Sequence, residues 1–388
     1  MKKEKRLDPI LLFTIMILVG LGIVMVYSAS FVIAAQRIGD PYHFLKKQAI
    51  AAVLGMGLMF GAARFDYHRW RFLSIPLLVL SAVLLGVLIL PGMRHEVSGS
   101  SRWFRLWFLS FQPSELAKLA LVLYLSRVFA RKEEKIKQFS GGFLPPMIVL
   151  GIFFFLVLAQ PDFGAGMLFV MLVFILLFSA GTRVLYLGGA VLAALPALLF
   201  LATRAEYRVE RILSFLNPWK DPGNAGFQII QSFLAFGHGK LWGVGLGEGR
   251  QKLFYLPEVH TDFIFSVIGE ELGLIGVTIL LVLFVILLIR GAQISFRAPD
   301  LFGIYLAFGI TVLLALQTLV NMGVVLGLLP TKGSTLPFIS YGGTSLIVNL
   351  MAVGILQNVF SQGIHPTHAN HDRGRRNGGT SVSGPRAG

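Results

Sequence analysis

The segment from Phe263 to Arg290 is the most informative part of the sequence and reads Phe263-Ile-Phe-Ser-Val-Ile-Gly-Glu270-Glu271-Leu-Gly-Leu-Ile-Gly-Val-Thr-Ile-Leu-Leu-Val-Leu-Phe-Val-Ile-Leu-Leu-Ile-Arg290. It is long and apolar enough to cross a bilayer as a helix, which takes about 20 mostly apolar residues. It follows Asp262 directly and carries Glu270 and Glu271 in its first turns. Carboxylates at membrane depth are costly unless they are paired or hydrated, so these three mark candidate functional positions.

Three polar side chains of this stretch share a helical face. Asp262, Ser266 and Glu270 are spaced four residues apart, which places them on one side of a continuous helix. We expect Asp262 to lie at the mouth of the span and to carry the chemistry. Glu270 and Glu271 lie deeper, where hydrogen bonds between helices are the better interpretation. A simple N-cap is the alternative role for Asp262.

Composition extends this interpretation to the whole chain. The 388 residues are 55% hydrophobic and 14% charged, and apolar runs of about 18 or more residues recur, which indicates an all-α integral membrane protein. The first span follows Met1–Arg6 directly and is expected to remain as an anchor. The expected spans number about ten: 9–33, 46–63, 72–90, 114–130, 143–160, 164–180, 184–202, 263–290, 301–326 and 342–361.

Basic residues predict the orientation of these spans. Lys and Arg cluster before the first span, at 64–71 and at 127–137, and cytoplasmic loops carry such an excess. Both termini are then cytoplasmic. Residues 1–361 form one membrane domain with a large extracytoplasmic loop, about 203–262, between helices 7 and 8. Residues 362–388 are polar and predict a disordered cytoplasmic tail.

Charge and cysteine content narrow the function classes. The formal net charge is +15, which the topology of the basic loops explains, so we expect no nucleic-acid partner. No cysteine is present, which excludes disulfides and thiolate metal sites. The glycine-rich segment 237–249 lacks both the Gly-Lys-Ser/Thr ending of a phosphate loop and the spacing of a dinucleotide fingerprint.

Other charged residues fall on the same side of the membrane as Asp262. Glu115 and Lys118 begin the fourth span and are three residues apart, so they can pair on one helical face. Asp162 precedes the sixth span, and Lys332 precedes the tenth. Each has a structural alternative: an ion pair, a helix cap and a snorkelling lysine respectively. His260 is a second titratable group near Asp262, although a lone histidine is more often a packing residue.

Several segments together resemble the SEDS family of membrane-embedded peptidoglycan glycosyltransferases. The resemblance covers nearly all of the chain up to about residue 362, and the motifs are closer to the cell-division branch than to the elongation branch. The segments are Asn217–Pro222, Gly226–Ser232, Tyr255–Phe265, Gly269–Gly273 and Thr331–Gly343.

The resemblance implies a function and its partners. The family polymerises lipid II, a disaccharide-pentapeptide on undecaprenyl pyrophosphate, into glycan strands at the outer face of the cytoplasmic (inner) membrane. It works with a class B penicillin-binding protein, a transpeptidase, and in cell division with further divisome membrane proteins. We therefore expect an inverting peptidoglycan glycosyltransferase that acts during septal cell-wall synthesis.

The resemblance also implies roles for the candidate residues. Asp262 is the candidate base for the acceptor hydroxyl, and Lys118 and Lys332 are candidates for phosphate contacts, with Arg102 and Arg208 weaker ones. Glu115 belongs to the same substrate site, and Glu270, Glu271, Asp162, His260 and Ser266 are supporting residues. A divalent cation, Mg²⁺ or Mn²⁺, between Asp262 and pyrophosphate is an alternative for which the sequence offers no dedicated cage.

Two other functions are compatible with the same spans and charged residues. A lipid II flippase would use the buried charges as a path for the headgroup, but such transporters show matching interrupted helices in two halves, and no internal repeat is evident. A non-catalytic divisome scaffold would explain the spans but would give Asp262, Glu115 and Lys118 no purpose.

Overall fold

The computed structural model describes residues 6–90, 102–106, 109–131, 135–203, 206–223, 226–251 and 259–363. The helices in this part of the chain are α1 (Pro9–Ile38), α2 (His43–Arg64), α3 (Tyr67–Val87), α4 (Pro113–Arg131), α5 (Leu144–Leu158), α6 (Phe163–Ser179), α7 (Val184–Thr203), α8 (Glu206–Leu216), α9 (Phe227–Gly239), α10 (Ile264–Glu271), α11 (Gly273–Phe296), α12 (Leu301–Val325) and α13 (Gly343–Gly363). Two short strands, β1 (Phe104–Leu106) and β2 (Leu109–Phe111), pair antiparallel before α4.

Eight helical segments of the described chain are long and apolar enough to cross a membrane. They overlap eight of the predicted spans and include α1, α2, α3, α5 with the turn that precedes it, α7, α11, α12 and α13. The other two predicted spans are helical as well. Helix α6 is apolar but has only 17 residues, and α4 carries four charged residues among its 19. The prediction of an all-α multi-pass membrane protein is confirmed, and the count of ten stays a prediction.

The stretch that begins after Asp262 is two helices rather than one. Helix α10 ends at Glu271, and α11 begins at Gly273, whose φ of 63° lies in the left-handed region that suits glycine. The backbone at this break is paired with the glycine-rich segment: Leu274 N–H donates to Lys240 O at 2.9 Å, and Val244 N–H donates to Glu270 O at 3.0 Å. A broken helix is tolerated at membrane depth where protein satisfies its backbone.

The start of α10 corrects two expectations about Asp262. The N-cap of α10 is Phe263, and no side chain caps that helix, so Asp262 is not the helix cap. It lies in the turn before α10. Asp262, Ser266 and Glu270 therefore do not form a stripe along one continuous span. The cause is that the chain turns at 259–263 before the helix starts.

The core of the bundle is formed by α4, α12 and α13. Helix α13 packs along α2, and α4 packs against both α3 and α12. Close approach depends on small residues: a Cβ atom at Gly354 would overlap the carbonyl oxygen of Met59 across the α2–α13 contact. In the apolar part of α13, 78% of the residues are buried, compared with 6% in the apolar part of α7. Helix α7 therefore lies at the periphery.

The bundle has two contrasting ends. The turns before α2, α4, α6, α10 and α13 meet at one end, which we call the cavity end. At the other, which we call the paired end, Asp8 caps α1 and forms an ion pair with Arg290 of α11 at 2.5 Å. Gln357 of α13 exchanges hydrogen bonds with the backbone of Asp8 at 2.7 and 3.1 Å. The large loop predicted at 203–262 contains α8 and α9.

Candidate active site

A cavity of about 930 Å³ opens at the cavity end. Residues from at least six separate parts of the chain line it, and they combine acids, bases and apolar side chains. They are Ile33, Arg37, Ile38, Phe44, Arg102, Trp103, Ser110, Gln112, Ser114, Glu115, Lys118, Pro161, Asp162, Ala165, Leu168, Arg211, Gln228, His260, Thr261, Asp262, Phe263, Gln317, Thr331, Lys332, Gly333, Ser334, Thr335, Tyr341, Gly342 and Gly343. Five predicted substrate-site residues, Asp262, Glu115, Lys118, Lys332 and Arg102, therefore share one cavity.

Asp262 is held at the cavity by contacts with two other segments. Its carbonyl oxygen accepts a hydrogen bond from Asn321 Nδ2 of α12 at 2.9 Å. The same amide donates to the carbonyl oxygen of Ser334 at 2.5 Å. The Asp262 carboxylate lies directly against Gly333, where a Cβ atom would be 2.8 Å from Oδ2. Asn321 thus joins the turn that carries Asp262 to the segment that carries Lys332.

Glu115 and Lys118 form a buried ion pair at the start of α4. Lys118 Nζ lies 2.7 Å from Glu115 Oε2, and only 8% and 9% of the two side chains are exposed. The spacing of three residues brings both to one face of the helix. Because both groups also line the cavity, the pair presents charge to whatever the cavity binds.

Asp162 caps α6 and pairs with an arginine from the β1–β2 hairpin region. Its carboxylate accepts a hydrogen bond from Ala165 N–H at 3.0 Å and lies 3.4 Å from Arg102 Nη1. Arg102 also donates to Pro161 O at 2.6 Å. The cap and the ion pair together place Asp162 on the wall of the cavity, and Arg102 connects the hairpin region to that wall.

Lys332 extends over the start of α6. Its aliphatic stem lies against Gly164, where a Cβ atom would be 2.5 Å from Cε. Burial lowers the pKa of Lys332 to about 8, a shift that Asp162, Glu115 and Asp262 oppose and Lys118 reinforces. Lys332 precedes α13 and lies outside the spanning helices. Lys332 is therefore close enough to four charged groups of the cavity to interact with them electrostatically.

The two glutamates and Ser266 lie away from the cavity. Glu270 accepts hydrogen bonds from the backbone N–H groups of Arg250 and Gln251 at 2.9 and 3.2 Å. Glu271 accepts from Ser28 of α1 at 2.6 and 2.8 Å. Ser266 donates to the carbonyl oxygen of Phe263 at 2.7 Å. These groups hold α10 against α1 and the glycine-rich segment.

His260 lies at the edge of the cavity in an aromatic cluster. Its ring centroid is 4.4 Å from that of Phe44 and 5.5 Å from that of Tyr341. Its carbonyl oxygen accepts a hydrogen bond from Tyr341 N–H at 2.9 Å. His260 thus links the turn of Asp262 to α2 and to the segment before α13. Arg208 belongs to α8, but its side chain lies outside the described residues.

Several cavity residues were not identified from the sequence, and three of them carry polar or charged side chains of particular interest. Arg37 comes from the last turn of α1, Arg211 from α8 and Gln317 from the middle of α12. Arg37 looks like an ordinary basic residue at a helix end, and Arg211 like one in the middle of a loop helix, so only the packing of the helices reveals them. A buried glutamine within a span is a detectable signal, since polar residues inside membrane helices are uncommon.

The described residues contain no group of three or more His, Cys, Asp or Glu side chains that could hold a metal ion. Asp262 offers one carboxylate to the cavity. A single carboxylate with phosphate oxygens and water is a common way to bind Mg²⁺, which seldom has an all-protein cage. The donor set thus fits a cation that arrives with a phosphate ligand.

The fold and the cavity define a class: a multi-pass helical membrane protein with a charged and partly apolar site at one end of the bundle. Over residues 9–363 the sequence matches the FtsW/RodA/SpoVE family, described as cell cycle proteins. The chain belongs to this family. The SEDS resemblance of its motifs is thereby confirmed.

Curated relatives support the same assignment. The chain is 51% identical over 358 residues to the probable peptidoglycan glycosyltransferase FtsW of Geobacter sulfurreducens, covering 92% of this chain and 96% of the relative. It is 44% identical to the stage V sporulation protein E of Bacillus subtilis, covering 92% of this chain and 98% of the relative.

Solved structures share the fold. One belongs to a study of the structural coordination of polymerization and crosslinking by a peptidoglycan synthase complex, with a TM-score of 0.75, 32% identity and coverage of 92% of this chain and 99% of that one. The rod shape determining protein RodA of Thermus thermophilus matches with a TM-score of 0.68 and 31% identity, over 92% of this chain and 97% of that one.

Proposed function

We propose that this protein is a peptidoglycan glycosyltransferase that polymerises lipid II into glycan strands during septal cell-wall synthesis. The names of the curated relatives support the activity and its role in division. The observation that carries the proposal is that Asp262, Lys118 and Lys332 line one cavity. A carboxylate and cations in one partly apolar cavity suit a substrate that combines sugar hydroxyls, pyrophosphate and a lipid.

Asp262 and the two lysines have separate roles in the proposed reaction. Asp262 takes the proton of the acceptor sugar hydroxyl, whose oxygen attacks the anomeric carbon of the donor. The bond from that carbon to the pyrophosphate breaks, and the electron pair leaves with the pyrophosphate. Lys118 and Lys332 offset the charge that develops there. A direct displacement inverts the anomeric centre and needs one carboxylate, unlike the two of retaining glycosidases.

A divalent cation, Mg²⁺ or Mn²⁺, is part of the proposal. Asp262 would hold it together with pyrophosphate oxygens and water, and the cation would supply further neutralisation of phosphate charge. Glu115 holds Lys118 in position, and Asp162 holds Arg102 in position, through the ion pairs at 2.7 and 3.4 Å.

The proposed placement in the membrane follows from the basic loops. We count ten spans, including α4 and α6, and place both termini in the cytoplasm. The cavity end then lies at the outer face of the inner membrane, because α1 runs from the cytoplasmic side to that end. The long segment with α8 and α9 is then extracytoplasmic. The family assignment supports a position at the division septum.

The proposed partner is a class B penicillin-binding protein, a transpeptidase, with other divisome membrane proteins around it. Support comes from the structural relative in a complex that coordinates polymerization and crosslinking.

The test is polymerisation of lipid II by the purified full-length protein with its transpeptidase partner in detergent, where no membrane separates two compartments. We expect glycan strands that a muramidase cleaves, and their formation to respond to added Mg²⁺ or Mn²⁺. In parallel, movement of lipid II between the leaflets of sealed vesicles is measured. Movement without strand synthesis would support a flippase, and activation of the partner with neither activity would support a scaffold.

A further inference from the structure

The proposed reaction needs two lipid-linked substrates at once, and the following inference rests on that function. Donor and acceptor each carry a pyrophosphate and a polyprenyl chain. The donor pyrophosphate leaves and gains charge, whereas the acceptor pyrophosphate only has to be held while its sugar hydroxyl is presented. A cavity of about 930 Å³ must therefore offer two anion sites of unequal strength, one on each side of the base.

One wall of the cavity concentrates cations. Lys118, Lys332 and Arg102 line it, with apolar Ala165, Leu168 and Trp103 beside them. Their partners Glu115 and Asp162 offset part of the charge. The depressed pKa of Lys332, to about 8, has Lys118 among its causes, which shows that positive charges on this wall lie close together. Such a wall suits a leaving pyrophosphate.

Another wall is formed by α1 and α2. Ile33, Arg37 and Ile38 of α1 and Phe44 of α2 line the cavity there. Among the residues that the structure describes, no carboxylate forms an ion pair with Arg37. The nearby carboxylate of Asp40 is bound by Lys46 at 2.9 Å. Arg37 is exposed at the end of α1 with apolar side chains beside it, a combination that suits the head and the first isoprene units of a prenyl pyrophosphate.

Asp262 belongs to the turn that joins these walls. His260, two residues earlier, packs on Phe44 and Tyr341 at centroid distances of 4.4 and 5.5 Å, which connects the turn to the α1–α2 wall. On its other side the Asp262 carboxylate contacts Gly333, next to Lys332. The carboxylate therefore stands between the arginine wall and the lysine wall.

We infer that Arg37, with Phe44, His260 and Tyr341, forms a second polyprenyl-pyrophosphate subsite that holds the acceptor substrate. Lys118 and Lys332 hold the donor pyrophosphate, because the leaving group needs the stronger neutralisation. The acceptor pyrophosphate stays intact, and one guanidinium with its forked donors is sufficient to hold it. The competing interpretation is that Arg37 only interacts with the C-terminal dipole of α1.

Binding stoichiometry tests the subsite without turnover. The full-length protein in lipid nanodiscs is titrated with undecaprenyl pyrophosphate, and bound ligand is counted by native mass spectrometry. We expect two bound equivalents for the wild type and one for Arg37→Gln. The matched control is Arg297→Gln, an exposed arginine at the paired end, which should retain two. One equivalent for the wild type, or two for Arg37→Gln, would overturn the inference.

Kinetics supply a second readout. For Arg37→Gln we expect the half-saturating lipid II concentration to rise about tenfold, the loss of one charge-assisted contact, with the maximal rate within about twofold of wild type. Lys118→Ala should instead lower the maximal rate. An unchanged half-saturating concentration for Arg37→Gln contradicts the subsite. Absence of strand synthesis by the wild type would contradict the proposed function, and the binding counts would still decide whether the second subsite exists.

Discussion

The two ends of the helical bundle use the same residue types in different ways. At the paired end, Asp8 and Arg290 form an ion pair at 2.5 Å, Gln357 binds the backbone of Asp8, and Tyr67 donates to Asp300 at 2.5 Å. None of these residues lines the cavity. At the cavity end, charged groups from several helices surround about 930 Å³ of space.

This difference separates structural charges from functional ones. A buried charge that is fully paired and enclosed contributes to holding helices together, and removing its partner is strongly destabilising. A charge that lines a cavity is available to a ligand. Burial alone would have placed Asp8, with 0% exposure, ahead of the less buried Asp262 as a functional candidate.

The largest effect on stability is expected at the paired end. Arg290→Ala leaves the Asp8 carboxylate buried without its cation, which should cost about 3–5 kcal/mol of folding free energy. Thermal unfolding of the detergent-solubilised protein measures the loss. Polymerisation per folded molecule should stay near the wild-type value. Arg297→Ala is the control, because that arginine is exposed. Equal melting temperatures for the two variants would contradict a structural role for the pair.

The second largest effect is expected at the cavity end, on the rate of lipid II polymerisation. Lys118→Ala removes a cation from the wall of the cavity and should lower polymerisation by about 10²–10³-fold, the scale of losing one preorganised electrostatic contact. Lipid II binding should weaken as well. Both are measured with purified protein and partner, and circular dichroism checks folding. Wild-type rate and affinity in Lys118→Ala would remove this lysine from the site.

A smaller effect is expected for Glu271, which is buried like Asp8 but belongs to the helix that follows Asp262. Ser28→Ala removes the hydrogen bond to Glu271 and should cost about 1.5–3 kcal/mol of stability, the range for hydrogen bonds to charged groups. The polymerisation rate at low temperature should be unaffected. A large loss of rate without loss of stability would mean that Glu271 takes part in the reaction.

The smallest effect is the dependence of activity on pH. Lys332 has a pKa of about 8, so it is charged below pH 8 and loses its charge as pH rises. We expect kcat/KM to fall above pH 8, approaching about tenfold per pH unit. Lys332→Arg should remove this fall, because arginine stays protonated. A wild-type profile that is flat to pH 9.5 would show that the charge of Lys332 is not needed.

The spanning helices could be located from the sequence, because each one appears directly as a run of apolar residues. The apolar runs located eight spanning segments, and α4 and α6 are also helices. The break between α10 and α11 was missed, because hydropathy continues across Leu272 and Gly273. Only the pairing of that backbone with residues 240–245 makes the break stable, and such contacts are not visible in a single sequence.

Part of the candidate site could also be predicted from the sequence. Asp262, Glu115, Lys118 and Lys332 were proposed from charge at membrane depth and from motif resemblance, and the structure places them around one cavity. Arg37 could not be proposed, because its importance depends on the packing of α1 beside the turn of Asp262. The hydrogen bond of Glu271 to Ser28 of α1 agrees with the expected contacts between helices. The sequence did not reveal that the turn at 259–263 removes Asp262 from the helical face of Ser266 and Glu270.

We propose that the Asp262 carboxylate acts in glycosyl transfer, whereas the neighbouring Glu270 is structural. The most direct test compares Asp262→Asn with Glu270→Gln in one lipid II polymerisation assay, each with the transpeptidase partner bound. Asp262→Asn should lose about 10²–10⁴-fold in rate, the contribution of a general base, and melt at the wild-type temperature. Glu270→Gln should keep its rate per folded molecule and melt lower. Near-normal strand synthesis by Asp262→Asn would contradict the claim.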